Sequence, residues 1–239
     1  MRCLGSMLKS VMALAFLLGL TPVLCGASVR PEAIRFEFND AGALRKEWDV
    51  RGVQLRTNRT NYDVCREDSA SDGWVLRVSC NRSSGILVSS PDYFNLADYP
   101  IMRWRWRVVK PLQLSGEKPE PDDQALVIYI GDGNPWRQYS IAYRWEHNVP
   151  LLFEKNQQYC GVTSTWSVCL RNCETTPGEW VTETRNVAQD FKKAYGRVPN
   201  RYFVLGIGGN TQYTRSQTIA EIDYIEFLPA GTDTAVGLK

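Results

Sequence analysis

The sequence predicts an all-β protein, an antiparallel β-sandwich or jelly roll, with one short helix near 187–195. Three observations predict it. Short runs rich in β-branched and aromatic residues recur between turns of Gly, Pro, Asn and Asp. Two runs, 101–109 and 138–147, alternate in type from residue to residue, the signature of a strand with two unlike faces. Helical spacing is concentrated in a single stretch, where Val187, Phe191 and Tyr195 stand four apart.

In chain order, the strand-like runs are 33–38, 52–57, 74–80, 85–90, 101–109, 124–130, 138–147, 179–185, 202–208 and 218–228. So many short strands, with long turns between them, suit two packed antiparallel sheets. In the helical stretch, Asn186 is placed to cap the start and Gly196 to end it. That helix is expected to pack on a sheet edge or end. Gly206-Ile207-Gly208-Gly209-Asn210 follows a strand without opening a helix and reads as a turn or bulge.

The ends carry different signals. Arg2 and Lys9 precede the apolar run 11–24, which is short for a bilayer span and suits the centre of a signal peptide. Cleavage is expected after Ala27, giving a signal peptide at 1–27, a β-sandwich domain at 28–228 and a disordered tail at 229–239. Leu24 before Cys25 does not fit a lipoprotein signal. The mature chain is expected to be exported, to the periplasm or the medium, and to hold no membrane span.

Arg2 and Lys9 are the charged residues of that leader, so the remainder balances 26 Lys and Arg against 26 Asp and Glu. Such a balance gives no reason to expect nucleic acid as a partner. After cleavage five cysteines remain, Cys65, Cys80, Cys160, Cys169 and Cys173. In an oxidising compartment they are expected to pair. Cys65 with Cys80 would close a hairpin-sized loop, and the crowded trio would supply a second bridge. A zinc site is the weaker reading, because the spacing fits no standard ligand set and His147 is the sole histidine.

Three segments could carry chemistry. In 102–108, Met102, Trp104, Trp106 and Val108 share one face, and Arg103, Arg105 and Arg107 share the other. The arginines read either as a salt-bridged face, with Glu221 and Asp223 as partners, or as a groove for an anionic glycan. In 138–148, Tyr139, Ile141, Tyr143, Trp145 and His147 share a face. They read as core residues, as planes for stacking on sugars, or as a Tyr–His pair for proton transfer. Glu117, Glu120, Asp122, Asp123 and Asp132 gather near turns. Solvated loop charge explains them, and a structural calcium is the one cofactor they suggest.

Trp104–Val108, Asp122-Asp123-Gln124-Ala125 with Val127–Ile130, Ile141–Trp145, Gly178-Glu179-Trp180, Arg185-Asn186-Val187, Asp190-Phe191, Tyr195-Gly196, Gly206-Ile207 and Ala220–Phe227 together resemble an uncharacterised bacterial family, number 3047 in the domain-of-unknown-function series. The likeness runs over about residues 33–228. It implies an exported envelope protein with a β-sandwich similar to carbohydrate-binding modules. It supplies no activity and no catalytic residues. The cysteine-bearing stretch 156–175 departs from the family pattern.

The leading expectation is therefore a non-catalytic binder of a glycan or envelope polysaccharide, using Arg103, Arg105, Arg107, Tyr143 and Trp145. One alternative is a polysaccharide lyase acting on anionic glycans, with Arg105 or Arg144 beside Tyr143 and His147. Another is a structural or partner-binding envelope protein.

Overall fold

Two β-sheets face one another in the computed structural model, which describes residues 33–52, 56–113, 122–134, 136–199 and 203–232. The expected leader and residues 233–239 of the expected tail lie outside these limits. The first sheet holds six strands: β1 (Ile34–Glu37), β4 (Asn61–Arg66), β5 (Trp74–Asn81), β8 (Ile101–Lys110), β13 (Val181–Asn186) and β15 (Gln217–Leu228). Their order is β13-β8-β15-β5-β4, with β1 also paired to β15. The second sheet holds β2 (Asp49–Arg51), β7 (Ile86–Ser89), β9 (Gln124–Asn134), β10 (Arg137–Trp145), β11 (Glu154–Tyr159), β12 (Thr163–Arg171) and β14 (Val204–Asn210). Its order is β11-β12-β10-β9-β14-β7-β2. A small parallel pair, β3 (Asn58–Arg59) with β6 (Ser83–Ser84), sits apart.

Pairing within the two large sheets is antiparallel except between β10 and β12. β12 lies between β10 and β11, so the β11–β12 hairpin adds to the sheet through its second strand. β12 falls inside the cysteine-bearing stretch 156–175, and β11 overlaps its start. β11, Glu-Lys-Asn-Gln-Gln-Tyr, is a charged edge strand of the kind that ends a sheet. β12 is covered on both faces from Thr165 to Leu170, which erases the alternation that reveals a strand. Helix α1 (Ala41–Glu47), capped by Asp40 accepting from Gly42 N, is also unanticipated; seven residues are too few to show a period.

The core explains why β8 and β10 lie back to back. Trp104 and Trp106 of β8 and Tyr143 of β10 are fully buried, and Trp145 nearly so. Trp104 stacks on Tyr143 with centroids 5.2 Å apart, and Trp106 meets Trp145 edge-on at 5.4 Å. Truncating such a ring typically costs about 3–5 kcal/mol.

Helix α2 (Val187–Tyr195) begins and ends where its caps place it. Asn186 accepts from Gln189 N, and Gly196 takes the left-handed conformation at φ +70°. The helix ties the sheets together through buried Asp190. Tyr143 on β10 donates its hydroxyl to Asp190 at 2.7 Å, and Arg185 on β13 donates twice, at 2.9 and 2.7 Å.

Two expectations change. Cys65 pairs in register with Val75, whereas Cys80 lies five residues further along β5 and faces the core. By strand alternation the two side chains leave opposite faces of the sheet, roughly 17 Å apart along it. They cannot bridge. Cys160, Cys169 and Cys173 are free thiols as well. The expected tail is anchored at its start, where Ala230 N donates to Asp98 O at 2.9 Å.

Asp190→Ala would strand a partly buried guanidinium and a buried phenol. It is expected to cost about 2–4 kcal/mol, read by urea unfolding. Tyr143→Phe should lose about 1–2 kcal/mol. Equal stability of wild type and Asp190→Ala would show that the helix does not tie the sheets.

Candidate functional site

The arginine face is a closed ionic ladder. Arg103 pairs with Glu226, Arg105 with Asp223 and Arg107 with Glu221, which also takes Arg77. Glu221 and Asp223 are buried at 0% and 1% exposure. They can stay charged there because each meets a guanidinium and further donors. Asp223 sits at a register shift between β15 and β8 and also accepts from Ser71 N and Ser71 Oγ in the loop that crosses this face. Trp180 lies over Arg105 and Arg107, 4.6 and 4.3 Å from its centroid, and donates to Ser69 Oγ. Of the two readings of these arginines, the structure displays the salt-bridged one, with the carboxylates the sequence offers.

The aromatic face of β10 turns inward. Tyr143 and Trp145 lie in the interior and present no open ring face to a sugar. Tyr143 and Arg144 leave opposite sides of β10, so they cannot work on one substrate together. His147 follows the end of β10 and is partly exposed, and burial lowers its pKa. Neither the ladder arginines nor Tyr143, Trp145 and His147 line the cleft described next.

That cleft, of about 640 Å³, crosses the outer face of the seven-stranded sheet. Its floor is glycine-rich: Gly131 on β9, and Gly206 and Gly208 on β14. The glycine run is thus mostly a central strand, with a register shift only between Gly208 and Asn210. At Gly206 a Cβ would come within 3.0 Å of Ile86 Cγ2 and 3.3 Å of Tyr129 Cβ. Glycine therefore lets both side chains close over bare backbone. Tyr129 pairs with Gly206 on one side and Ala142 on the other, so its ring stands among small neighbours. Its phenol makes no hydrogen bond among the described residues, and burial pushes its pKa up to about 12. It remains a neutral donor.

Along β10 and β12 the wall is polar and uncharged. Gln138 accepts from Thr163, and Ser140 shares a hydrogen bond with Thr165 at 2.8 Å. At the other end stands the buried guanidinium of Arg144. It meets Asp122 at 2.8 Å, Glu146 at 2.7 Å and the side-chain oxygen of Gln124 at 2.7 Å. Asp122 also takes the Tyr159 hydroxyl at 2.6 Å, and Lys155 lies 3.8 Å away. Burial and this carboxylate hold the Tyr159 phenol far above its usual range. Arg197 neutralises Asp132 at the rim. Asp122 and Asp132 are thus each matched by an arginine, while Arg51 at the β2 end is largely exposed beside Asp49.

Sequence reasoning picked out Arg144 for catalysis and Asp122 and Asp132 for calcium, but had no signal for Tyr129, Gln124 or Tyr159 as one group. Among the described residues no cluster of His, Cys, Asp or Glu is placed to hold a metal ion. Asp123 points away from Asp122 and accepts from Thr214 and Tyr213. Glu117 and Glu120 lie outside the described residues. No described helix is long and apolar enough to cross a membrane.

Burial raises the Glu146 pKa despite the opposing guanidinium. Between its ordinary value near 4.5 and its folded value, the native state holds the extra proton, so this group's contribution to stability declines as pH rises through that window. Relative to Glu146→Gln, the wild type should lose stability from about pH 4.5 toward neutrality, read by urea unfolding at each pH. A constant difference across that range would remove Glu146 as the cause.

Several solved structures align with most of the chain at low identity. A family 11 carbohydrate-binding module from Clostridium thermocellum, solved with a β-1,3-1,4-mixed-linked tetrasaccharide, aligns over 77% of this chain and 89% of that one, at 9% identity and TM-score 0.41. The xyloglucanase domain of a type three effector from Sinorhizobium fredii, in complex with cellobiose, aligns over 81% and 96%, at 11% identity and TM-score 0.42. Winged bean acidic lectin aligns over 83% and 99%, at 13% identity and TM-score 0.40. No curated protein sequence matches the chain. The sequence profile described as "Protein of unknown function (DUF3047)" matches residues 46–226, most of the two sheets, and the chain belongs to that family.

Proposed function

We propose that this protein binds a neutral glycan in the cleft of the seven-stranded sheet, without catalysing a reaction on it, and that it does so outside the cytoplasm. The observation that carries the reading is the cleft itself: a glycine floor, a partly exposed tyrosine ring with a free hydroxyl, and a hydrogen-bonding wall of Gln138, Ser140, Thr163 and Thr165. Sugars offer apolar C–H faces to rings and hydroxyls to amides and carboxylates, which is the chemistry this lining answers. The pairing of the arginines of β8 with carboxylates, and of Arg144 with Asp122 and Glu146, favours a neutral ligand over the anionic glycan suggested by the arginine run. A lyase would need a cationic partner for a uronate, and Arg105 and Arg144 are both engaged by carboxylates.

The partner-binding reading draws on a separate feature. Leu151, Leu152 and Phe153 are 46–50% exposed in one loop. Export draws on the leader-like N-terminus; sequencing the N-terminus of protein recovered from outside the cytoplasm should start at Ser28, and an intact Met1 there would overturn it.

Affinity electrophoresis through gels holding dextran, laminarin or galactomannan should retard the protein, while alginate and pectate should not. Tyr129→Ala should weaken retention about five- to tenfold, the worth of one ring contact. Unchanged retention in a folded Tyr129→Ala variant would move the site elsewhere. Retention by the anionic polymers alone would overturn the reading.

A further inference from the structure

We propose that Asp122, Gln124 and Tyr159, fastened in place by Arg144, form a subsite that reads two adjacent hydroxyls of one sugar ring. The inference rests on the glycan reading above and deepens it. Arg144 is 2% exposed, so its charge is retained at the sheet face only because two carboxylates and an amide oxygen surround it. Its three partners are drawn from three places: Asp122 before β9, Gln124 at the start of β9, and Glu146 just after β10.

Asp122, Gln124 and Tyr159 all line the cleft. Arg144 takes the carbonyl oxygen of the Gln124 amide, which fixes the orientation of that amide and leaves its two N–H donors for a ligand. The Asp122 carboxylate spends one oxygen on Arg144 and the other on the Tyr159 hydroxyl. Oδ1 is buried against the guanidinium, but each carboxylate oxygen has about two acceptor directions, so capacity for a ligand remains on Oδ2. A fixed donor therefore stands next to a fixed acceptor. Vicinal hydroxyls match that arrangement: one donates to Asp122 and its neighbour accepts from Gln124.

Tyr159 adds a constraint of another kind. It comes from edge strand β11, and β10 and β12 lie between that strand and β9. The Tyr159–Asp122 hydrogen bond therefore passes over the outer face of two strands and holds the carboxylate above the sheet. At this end of the cleft an anionic group would meet the Asp122 carboxylate, whose guanidinium partner Arg144 is buried behind it. Arg144 acts through its partners and is a positioning residue.

The test uses the full chain and whichever neutral polymer of the gel panel retains the wild type most strongly. Gln124→Glu keeps the oxygen held by Arg144 and exchanges the amide donors for an acceptor. It should weaken retention about tenfold or more, because a site built around a hydroxyl rejects a mismatched partner strongly, with thermal unfolding run beside it. The wild type should lose retention to a similar extent on the O-methylated form of the same polymer, an arm that needs no variant. If both arms match the unmodified control while Tyr129→Ala weakens binding, the diol subsite is wrong and the cleft reading stands. If no neutral polymer retains the wild type, the cleft reading fails and the subsite with it.

Discussion

The inward turn of four aromatic rings governs the rest of the molecule. Trp104 and Trp106 on one sheet meet Tyr143 and Trp145 on the other, and strand alternation leaves no freedom for the residues between them. Once Tyr143 faces the core, Ala142 and Arg144 must face outward, where Ala142 leaves room beside Tyr129 and Arg144 organises one end of the cleft. Once Trp104 and Trp106 face the core, Arg103, Arg105 and Arg107 must face outward on the opposite side of the molecule. The two surfaces thus follow from one packing decision, yet they end in different states. The arginine surface is closed by loop 67–73 and Trp180, and the cleft stays open.

Much of the fold was legible because its longest strands have unlike faces. β8, β10 and β15 fall at or near their expected limits, and α2 matches from cap to cap. What escaped notice lacked a periodic signal for physical reasons. β12 is buried on both sides, β11 is polar throughout as an exposed edge, and α1 is shorter than two full turns. The cysteine pairing failed for a different reason: nearness in sequence says nothing about which face of a sheet each sulfur leaves.

The site was harder to read. Tryptophans and arginines draw attention in a sequence, but here the tryptophans of β8 and β10 build the interior and the arginines of β8 hold carboxylates. The cleft is made by residues that look unremarkable alone: three glycines, a tyrosine and several amides and hydroxyls. Its signal lies in register. Gly206 beside Tyr129, and Ser140 beside Gly131, become meaningful only when the strands are aligned.

β15 is the central strand of the first sheet and also the last strand described. β8 meets it on one side, and β5 and β1 on the other, so neither half of that sheet can join before residues 217–228 are available. The three carboxylates that neutralise the arginine ladder ride on the same strand. Until it arrives, β8 carries unpaired guanidiniums on one side and bare tryptophans on the other. Synthesis and folding of this sheet are therefore separated in time: it must remain open, and in need of protection from its own tryptophans, until β15 slides between the two waiting halves.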